Sequence, residues 1–430
     1  MAHDNSAHVA HAQGLLRFID GSPSPFHVVA TAVEMLSAAD FVAAGPSNDQ
    51  LAPGRYFSAR DGALVAWVIP DGASGSTPFR IVGAHTDSPN LRLKPKPNAN
   101  AFGYRRLGVE VYGGVLLNSW LDRDLGLSGR LAVRDGANVR QVLVSIDEPI
   151  LRIPQLAIHL DREINDKGLS LNKQQHLVPI FGLTGSAAST IDTLIADAAG
   201  VSTNDVIGAD LMLNDTQPSQ LIGVDDEFVS APRLDNQLSC HAALTALSGV
   251  SSGNAISMVA LFDHEEVGSV SATGAATHLL PRLLASISAD LGASPADHAA
   301  TLDDSLFISA DNAHATHPNY PERHEPAHHI ALNAGPVLKH NANQRYTTDA
   351  MTEGAFRLAA ERAGVSTQAF VNRTDMGCGS TIGPTVSALL GMRALDLGCP
   401  QLAMHSCREL AGTNDPWDMT LLLAELLSAS

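Results

Sequence analysis

Residues 260–269 read "ALFDHEEVGS", so His264, Glu265 and Glu266 follow one another one residue after the apolar run "AISMVALF". Adjacent carboxylates repel, and a carboxylate beside an apolar strand loses hydration unless something compensates it. A cation does so. Similar residues close other strand-like runs: His85 and Asp87 in "PFRIVGAHTD", Asp235 in "VSAPRLDN", Asp311 in "LFISAD" and His405 in "PQLAMHS". Ligands of open α/β sheets gather beyond the carboxyl ends of strands.

Each residue has a plainer reading when taken alone. A single His beside an apolar run is usually hydrogen-bonded structure, and an Asp at a strand end is usually a turn residue or helix cap. Asp235, just before the helical pattern "NQLSCHAALTALSGV", would serve as such a cap. Repetition at several strand ends favours a shared site instead. In the His85-x-Asp87 unit the carboxylate can take a proton from one imidazole nitrogen and leave the other for a metal. Of Glu265 and Glu266, one can bind metal while the other carries protons, provided the strand has given way to a loop so that both converge. A set of His, Asp and Glu without thiolates suits zinc, cobalt or manganese in a hydrolytic site. Three carboxylates and two histidines suffice for two ions with one carboxylate shared, and such ions acidify water and stabilise charge on a carbonyl oxygen.

The surrounding pattern must position these residues. "SPSPFHVVATAVEMLSAA" predicts a helix opening on Ser-Pro, and Asp61-Gly62 between "RYFSAR" and "ALVAWVIP" predicts a hairpin. From about residue 95 to 228 short β-branched segments such as "GVEVYGGVLL" and "GRLAVRDGANVRQVLVSI" predominate. Afterwards helices and strands alternate to the end. The expectation is an α/β domain formed by residues 1–94 and 229–430, with a mixed, mostly parallel sheet flanked by helices, interrupted by a β-rich domain at 95–228.

At 430 residues the chain exceeds one ordinary hydrophobic core. Its net charge of -18, without any basic block, argues against nucleic acid and anionic membranes as partners. The opening "MAHDNSAHVAHAQGLL" carries Asp4 and reads as the approach to an amphipathic helix, not a secretory signal. No apolar run is long enough to span a bilayer, so a cytoplasmic location is expected. Cys240, Cys378, Cys399 and Cys407 form no C-x-x-C pair and are read as packing residues. "MGCGSTIGP" lacks the endings of phosphate-binding loops, and the irregular "NAHATHPNYPERHEPAHH" reads as a loop near the cleft.

Together "VGAHTDSPNLRLKPKP", "DHEEVGS", "ISADNAHATHPNY", "GPVLKHNANQRY" and "GCGSTIGP…LDLGCPQLAMHSCREL" resemble the M18 family of metallo-aminopeptidases, aspartyl aminopeptidase type, in order along nearly the whole chain. The resemblance implies a zinc-peptidase-like fold and two zinc ions per subunit. His85, Asp235 and Asp311 would hold one ion and Glu266 and His405 the other, with Asp235 bridging. Glu265 would be the general base and Asp87 would orient His85. Glu265 and Asp311 would receive the substrate's ammonium group, His314 or Tyr346 would polarise the scissile carbonyl, and Lys339 would pair with an acidic first side chain. His159 matches a histidine reaching a neighbouring subunit's active site, where substrate contact is the better assignment than metal ligation. The inserted domain would mediate dimerisation, and dimers would build a dodecamer enclosing the active sites.

The resulting expectation is an aminopeptidase removing one N-terminal residue from peptides, with Asp or Glu favoured and neutral residues such as Leu open, since the net charge repels acidic peptides at long range. Two rivals remain. A di-metal deacylase or carboxypeptidase would need a basic group for a carboxylate, and an inactive assembly protein of the same fold would not need Glu265.

Overall fold

A computed structural model describes residues 5–44, 52–185, 190–250 and 253–429; Asp4 lies outside them. The strands in chain order are β1 (Val42–Ala43), β2 (Gly54–Arg60), β3 (Ala63–Ile69), β4 (Phe79–His85), β5 (Asn90–Asn98), β6 (Tyr104–Tyr112), β7 (Asp124–Asp135), β8 (Asn138–Arg152), β9 (Ile180–Leu183) and β10 (Val206–Asp215). They continue as β11 (Gln220–Ile222), β12 (Phe228–Ala231), β13 (Ile256–Phe262), β14 (Leu306–Ala310), β15 (Ala313–His314), β16 (Val337–His340), β17 (Gln368–Val371), β18 (Arg393–Gly398), β19 (Pro400–Leu402) and β20 (Glu409–Gly412).

Nine strands form one sheet in the order β1-β2-β3-β13-β4-β14-β18-β16-β17. Its centre, β13-β4-β14-β18, is parallel, while β3 and β16 join antiparallel. Parallel strands covered on both faces need continuous apolar sequence. The strand β13, "ISMVALF", is accordingly buried at every residue. Alternate side chains separate into two cores. Val82, Ala84, Val259 and Leu261 pack with helices Asn5–Asp20, Pro25–Ala38, Leu234–Gly249 and Asp415–Ser428. Ile81, Met258, Ala260 and Phe262 pack on the other face with helices Leu279–Asp290 and Ile382–Leu390. This is the mixed, helix-flanked α/β sheet that the sequence predicts.

Local signals act as expected at several points. The Ser24 hydroxyl caps helix Pro25–Ala38 by accepting the His27 N–H, with Pro25 at the first turn. Asp61 turns the β2–β3 hairpin at φ 54°. Within the middle of the chain, β10-β5-β6-β9-β8-β7 close an antiparallel barrel with its own core of Leu91, Leu107, Leu127, Leu131 and Leu213. A third sheet, β11-β12-β20-β19-β15, pairs β12 with the C-terminal strands. Pairing of Ala231 with Glu409 there brings residues 232–235 beside the loop that carries His405. Among the described residues no helix is long and apolar enough to cross a membrane.

Candidate metal centre

His85 is the last residue of central strand β4 and Asp311 directly follows its neighbour β14. After Phe262 the strand β13 ends, His264 takes a left-handed conformation (φ 64°), and Glu265–Val267 form a single 3-10 turn. The turn resolves the problem of two adjacent glutamates at a strand end. Asp87, fully buried, accepts the Glu265 N–H on Oδ1 at 3.0 Å and the Glu266 N–H on Oδ2 at 3.1 Å. Both glutamate backbones are thereby turned toward β4, and both side chains line one cleft.

Asp235 does not act as the helix cap its position suggested. The chain kinks at Asp235 and Asn236, which are non-helical within Leu234–Gly249, and among the described residues the Asp235 carboxylate accepts no helix N–H. The Asp235 carboxylate instead lies between two imidazoles, with Oδ1 3.4 Å from His85 Nε2 and Oδ2 3.4 Å from His405 Nε2. His85 Nε2 is also 3.8 Å from Asp311 Oδ1, and His405 Nε2 is 3.4 Å from Glu266 Oε1. Ligand atoms of His85, Asp235 and Glu266 all fall within 4.8 Å of one another.

Hydrogen bonding fixes the imidazole tautomers. His85 Nδ1 faces the backbone carbonyl of Asp87 at 3.0 Å and its Oδ1 at 3.4 Å; His405 Nδ1 faces the carbonyl of Gly114 at 3.0 Å. A carbonyl can only accept, so both Nδ1 atoms carry hydrogen and both Nε2 atoms point into the cluster. Asp235 Oδ1 is buried without a hydrogen-bond partner among the described residues, an arrangement that is costly unless a cation completes it. At zinc–ligand lengths of about 2.0–2.2 Å, tetrahedral ligands sit roughly 3.3–3.6 Å apart. The 3.4 Å separations on either side of Asp235 match that spacing, so the residues fit a zinc site among these carboxylates and imidazoles.

The electrostatics point the same way. Burial opposes charge on His85, but the surrounding carboxylates of Asp235, Asp311 and Asp87 outweigh it and hold its pKa well above the ordinary value. The same contest, decided by Asp235 and Glu266, raises His405 to about 10. Burial and the charge of Asp235 push Glu266 well above the carboxylate range. The cluster therefore favours positive charge among its carboxylates. Glu265 is raised to about 7, first by burial, against the attraction of His85.

The cleft, about 440 Å³, is lined by His85, Asp235, Glu265, Glu266, Asp311 and His405, and farther out by His314, Lys339 and Tyr346. Lys339 is 3% exposed, and its Nζ lies 5.3 Å from the centroid of the Tyr346 ring. Phe370 completes this wall. Asp87 stands behind His85 and not in the cleft lining. His159 is exposed on the turn Ile158–Leu160 of the inserted region and is not a lining residue of this chain's cleft.

Three contributors escape sequence reasoning. Glu409 accepts backbone N–H groups from Asp235 and His405, the Tyr112 hydroxyl donates to Asp87, and Gly114 orients His405. A glutamate opening the otherwise apolar "ELAG" is the one signal the sequence carries for them.

Residues 18–426 match the family described as aminopeptidase I zinc metalloprotease (M18). The chain is 49% identical over 431 residues to a protein of Mycobacterium tuberculosis named probable M18 family aminopeptidase 2, covering 98% of both chains. A solved structure titled as the cryo-EM complex of Ape4 and Nbr1 superposes with a TM-score of 0.96 at 37% identity, over 100% of this chain and 87% of that one. Another, titled as the S. cerevesiae mApe1 dodecamer, gives 0.83 at 29% identity, over 96% of this chain and 95% of that one. With this ligand cluster at the mouth of its sheet and these relatives along its length, the chain belongs to the M18 family of zinc metallo-aminopeptidases, hydrolases of peptide bonds.

Proposed function

We propose that the protein removes single N-terminal residues from peptides at the cleft beside β4 and β13, with acidic first residues preferred. One observation carries the assignment of the reacting group. The Glu265 carboxylate lines the cleft beside the His85–Asp235–Glu266 cluster, yet among the described residues its side chain enters no hydrogen bond or ion pair. A carboxylate so placed is free to take a proton from water and return it to the leaving amine.

Two ions would be held, one by His85, Asp235 and Asp311 and the other by Glu266 and His405 with Asp235 shared. Zinc, when bound, supplies a Lewis acid that acidifies water and accepts charge developing on a carbonyl oxygen; cobalt or manganese suits the same donors. Asp87 orients His85. Glu265 and Asp311 receive the substrate ammonium group, which sets the scissile bond one residue from the N-terminus. His314 or Tyr346 donates toward the carbonyl oxygen.

Lys339 supports the acidic preference. It is almost fully buried in the cleft wall, and among the described residues no carboxylate lies within 4 Å of its Nζ. Its ammonium lies over the Tyr346 ring, and a substrate Asp or Glu would add an opposite charge beside it. The apolar neighbours Tyr346 and Phe370 favour a second reading, acceptance of neutral residues such as Leu.

The protein is further proposed to act in the cytoplasm, where its four unpaired cysteines remain reduced. It is proposed to assemble through the inserted domain into dimers and a dodecamer, with His159 of a partner subunit contacting substrate. The test is a kinetic panel of aminoacyl-amides beginning with Asp, Glu and Leu, in free and N-acetylated forms, after metal removal and reconstitution with zinc, cobalt or manganese. Hydrolysis of acetylated peptides at equal rates would refute the aminopeptidase assignment, and a Leu rate above the acidic rates would refute the preference.

A further inference from the structure

We infer that residues 112–114, at the end of barrel strand β6, are a positioning element of the metal centre, so that the inserted barrel helps to build the site; this rests on the metallo-aminopeptidase reading above. Two ends of the centre are held from this one segment. The Tyr112 hydroxyl donates to Asp87 Oδ2 at 2.6 Å. Asp87 is the residue that faces His85 Nδ1 and ties down the N–H groups of Glu265 and Glu266. Two positions on, the Gly114 carbonyl accepts His405 Nδ1 at 3.0 Å. The tyrosine is itself fixed, because the Arg92 guanidinium lies 3.5 Å from its ring centroid.

The segment approaches closely enough that side chains would interfere. A Cβ at Gly113, whose φ is 74°, would stand 3.1 Å from Glu266 Cβ, and one at Gly114 would stand 3.1 Å from His405 Nδ1. Beyond it the contact continues along the backbone. The Leu116 N–H donates to the His405 carbonyl at 3.0 Å, and the Ser119 hydroxyl accepts the Cys407 N–H at 2.8 Å. His405 has a left-handed φ of 67°, a conformation that a non-glycine residue keeps only where its surroundings enforce it. Hydrogen bonds from the barrel to both its ring and its carbonyl are part of that enforcement.

Groups that orient metal ligands typically alter metal affinity about 10–100-fold when removed. Tyr112→Phe deletes the hydroxyl and keeps the ring against Arg92, while Gly114→Ala pushes on His405. Zinc affinity is measured for both variants and the wild type by competition with a chromophoric chelator, cobalt(II) absorption reports ligand geometry, and melting of the metal-free proteins reports the fold. The expected result is zinc binding by Tyr112→Phe weakened roughly 10–100-fold at unchanged metal-free melting, and an altered cobalt spectrum for Gly114→Ala. Wild-type zinc affinity and spectra in both variants would overturn the inference, and so would a variant that melts early yet binds zinc normally. A wild-type protein without zinc affinity would instead overturn the parent reading.

Discussion

Glu409 accepts the backbone N–H of His405 on Oε1 at 2.6 Å, while its other oxygen accepts that of Asp235 at 2.9 Å. One buried carboxylate thus couples the residue between the two imidazoles to one of those imidazoles. Burial and the charge of Asp235 push the Glu409 carboxyl up to about 8, whereas the two N–H donors and His405 favour its ionised form. Glu409→Gln would turn an amide N–H₂ toward one of these donors. An unmet buried donor costs about 1–3 kcal/mol, so zinc affinity should fall roughly tenfold or more with little change in KM at saturating metal. Unaltered affinity in a chelator competition would remove Glu409 from the centre.

Glu265→Gln separates metal binding from proton transfer. The variant should retain its zinc content, because the cluster of His85, Asp235 and Glu266 is untouched. Its kcat should fall about 10²–10⁴-fold, the usual contribution of a general base. Atomic absorption and steady-state kinetics on one preparation read both quantities. Loss of zinc together with activity would show that Glu265 is a ligand, and full activity would remove it from the mechanism.

The strand-end residues are legible because local pattern carries them. Apolar runs stop at His85, Phe262 and Ala310, and the polar residues that follow have no local reason to be there. The sheet is legible for the same reason, since β13 is a continuous apolar stretch between helical patterns and β4 and β14 are largely apolar. What holds those side chains is not. Tyr112 and Gly114 act from the end of barrel strand β6 and the loop after it, one through a phenol and the other through a backbone carbonyl that has no sequence signature. Asp235 misleads because its position before a helix is that of a cap, whereas its carboxylate lies between the His85 and His405 imidazoles instead of on the helix N–H groups.

Lys339 sets the next expectation. Replacement by Met retains much of the stem's packing against Tyr346 and removes the charge. A charge-assisted hydrogen bond to an acidic substrate side chain contributes about 1.5–3 kcal/mol. Lys339→Met should therefore lower kcat/KM for Asp- or Glu-amides roughly 10–150-fold and leave Leu-amide nearly unaffected. Equal losses on both substrates would show that the lysine supports the cleft wall and does not select the first residue.

Acid sensitivity should arise where helix Asn5–Asp20 meets helix Leu234–Gly249, outside the cleft lining. His11 and His241 lie there with ring centroids 4.8 Å apart, flanked by Trp417 and Phe18. Burial lowers His11 to about 4, helped by His8, and lowers His241 to about 3, helped by His11 and Arg17. His241 Nδ1 is buried without a hydrogen-bond partner among the described residues, so nothing there rewards a proton. In the unfolded chain these imidazoles titrate near the ordinary value of about 6.5. As pH falls through that value the unfolded state takes up protons that the folded state does not. Stability is therefore undiminished above about 6.5, declines between about 6.5 and the folded values, and levels off once the folded imidazoles are protonated too. Each such group contributes a slope approaching about 1.4 kcal/mol per pH unit within that window. His241→Phe removes one titrating group and its unmet nitrogen, so between pH 6.5 and 4.5 its stability should fall less steeply than that of the wild type by up to that amount. Urea unfolding of the metal-free proteins at matched pH measures the difference without contribution from metal release. Parallel curves would place the acid sensitivity elsewhere, with the carboxylates of the cleft as the next groups to examine.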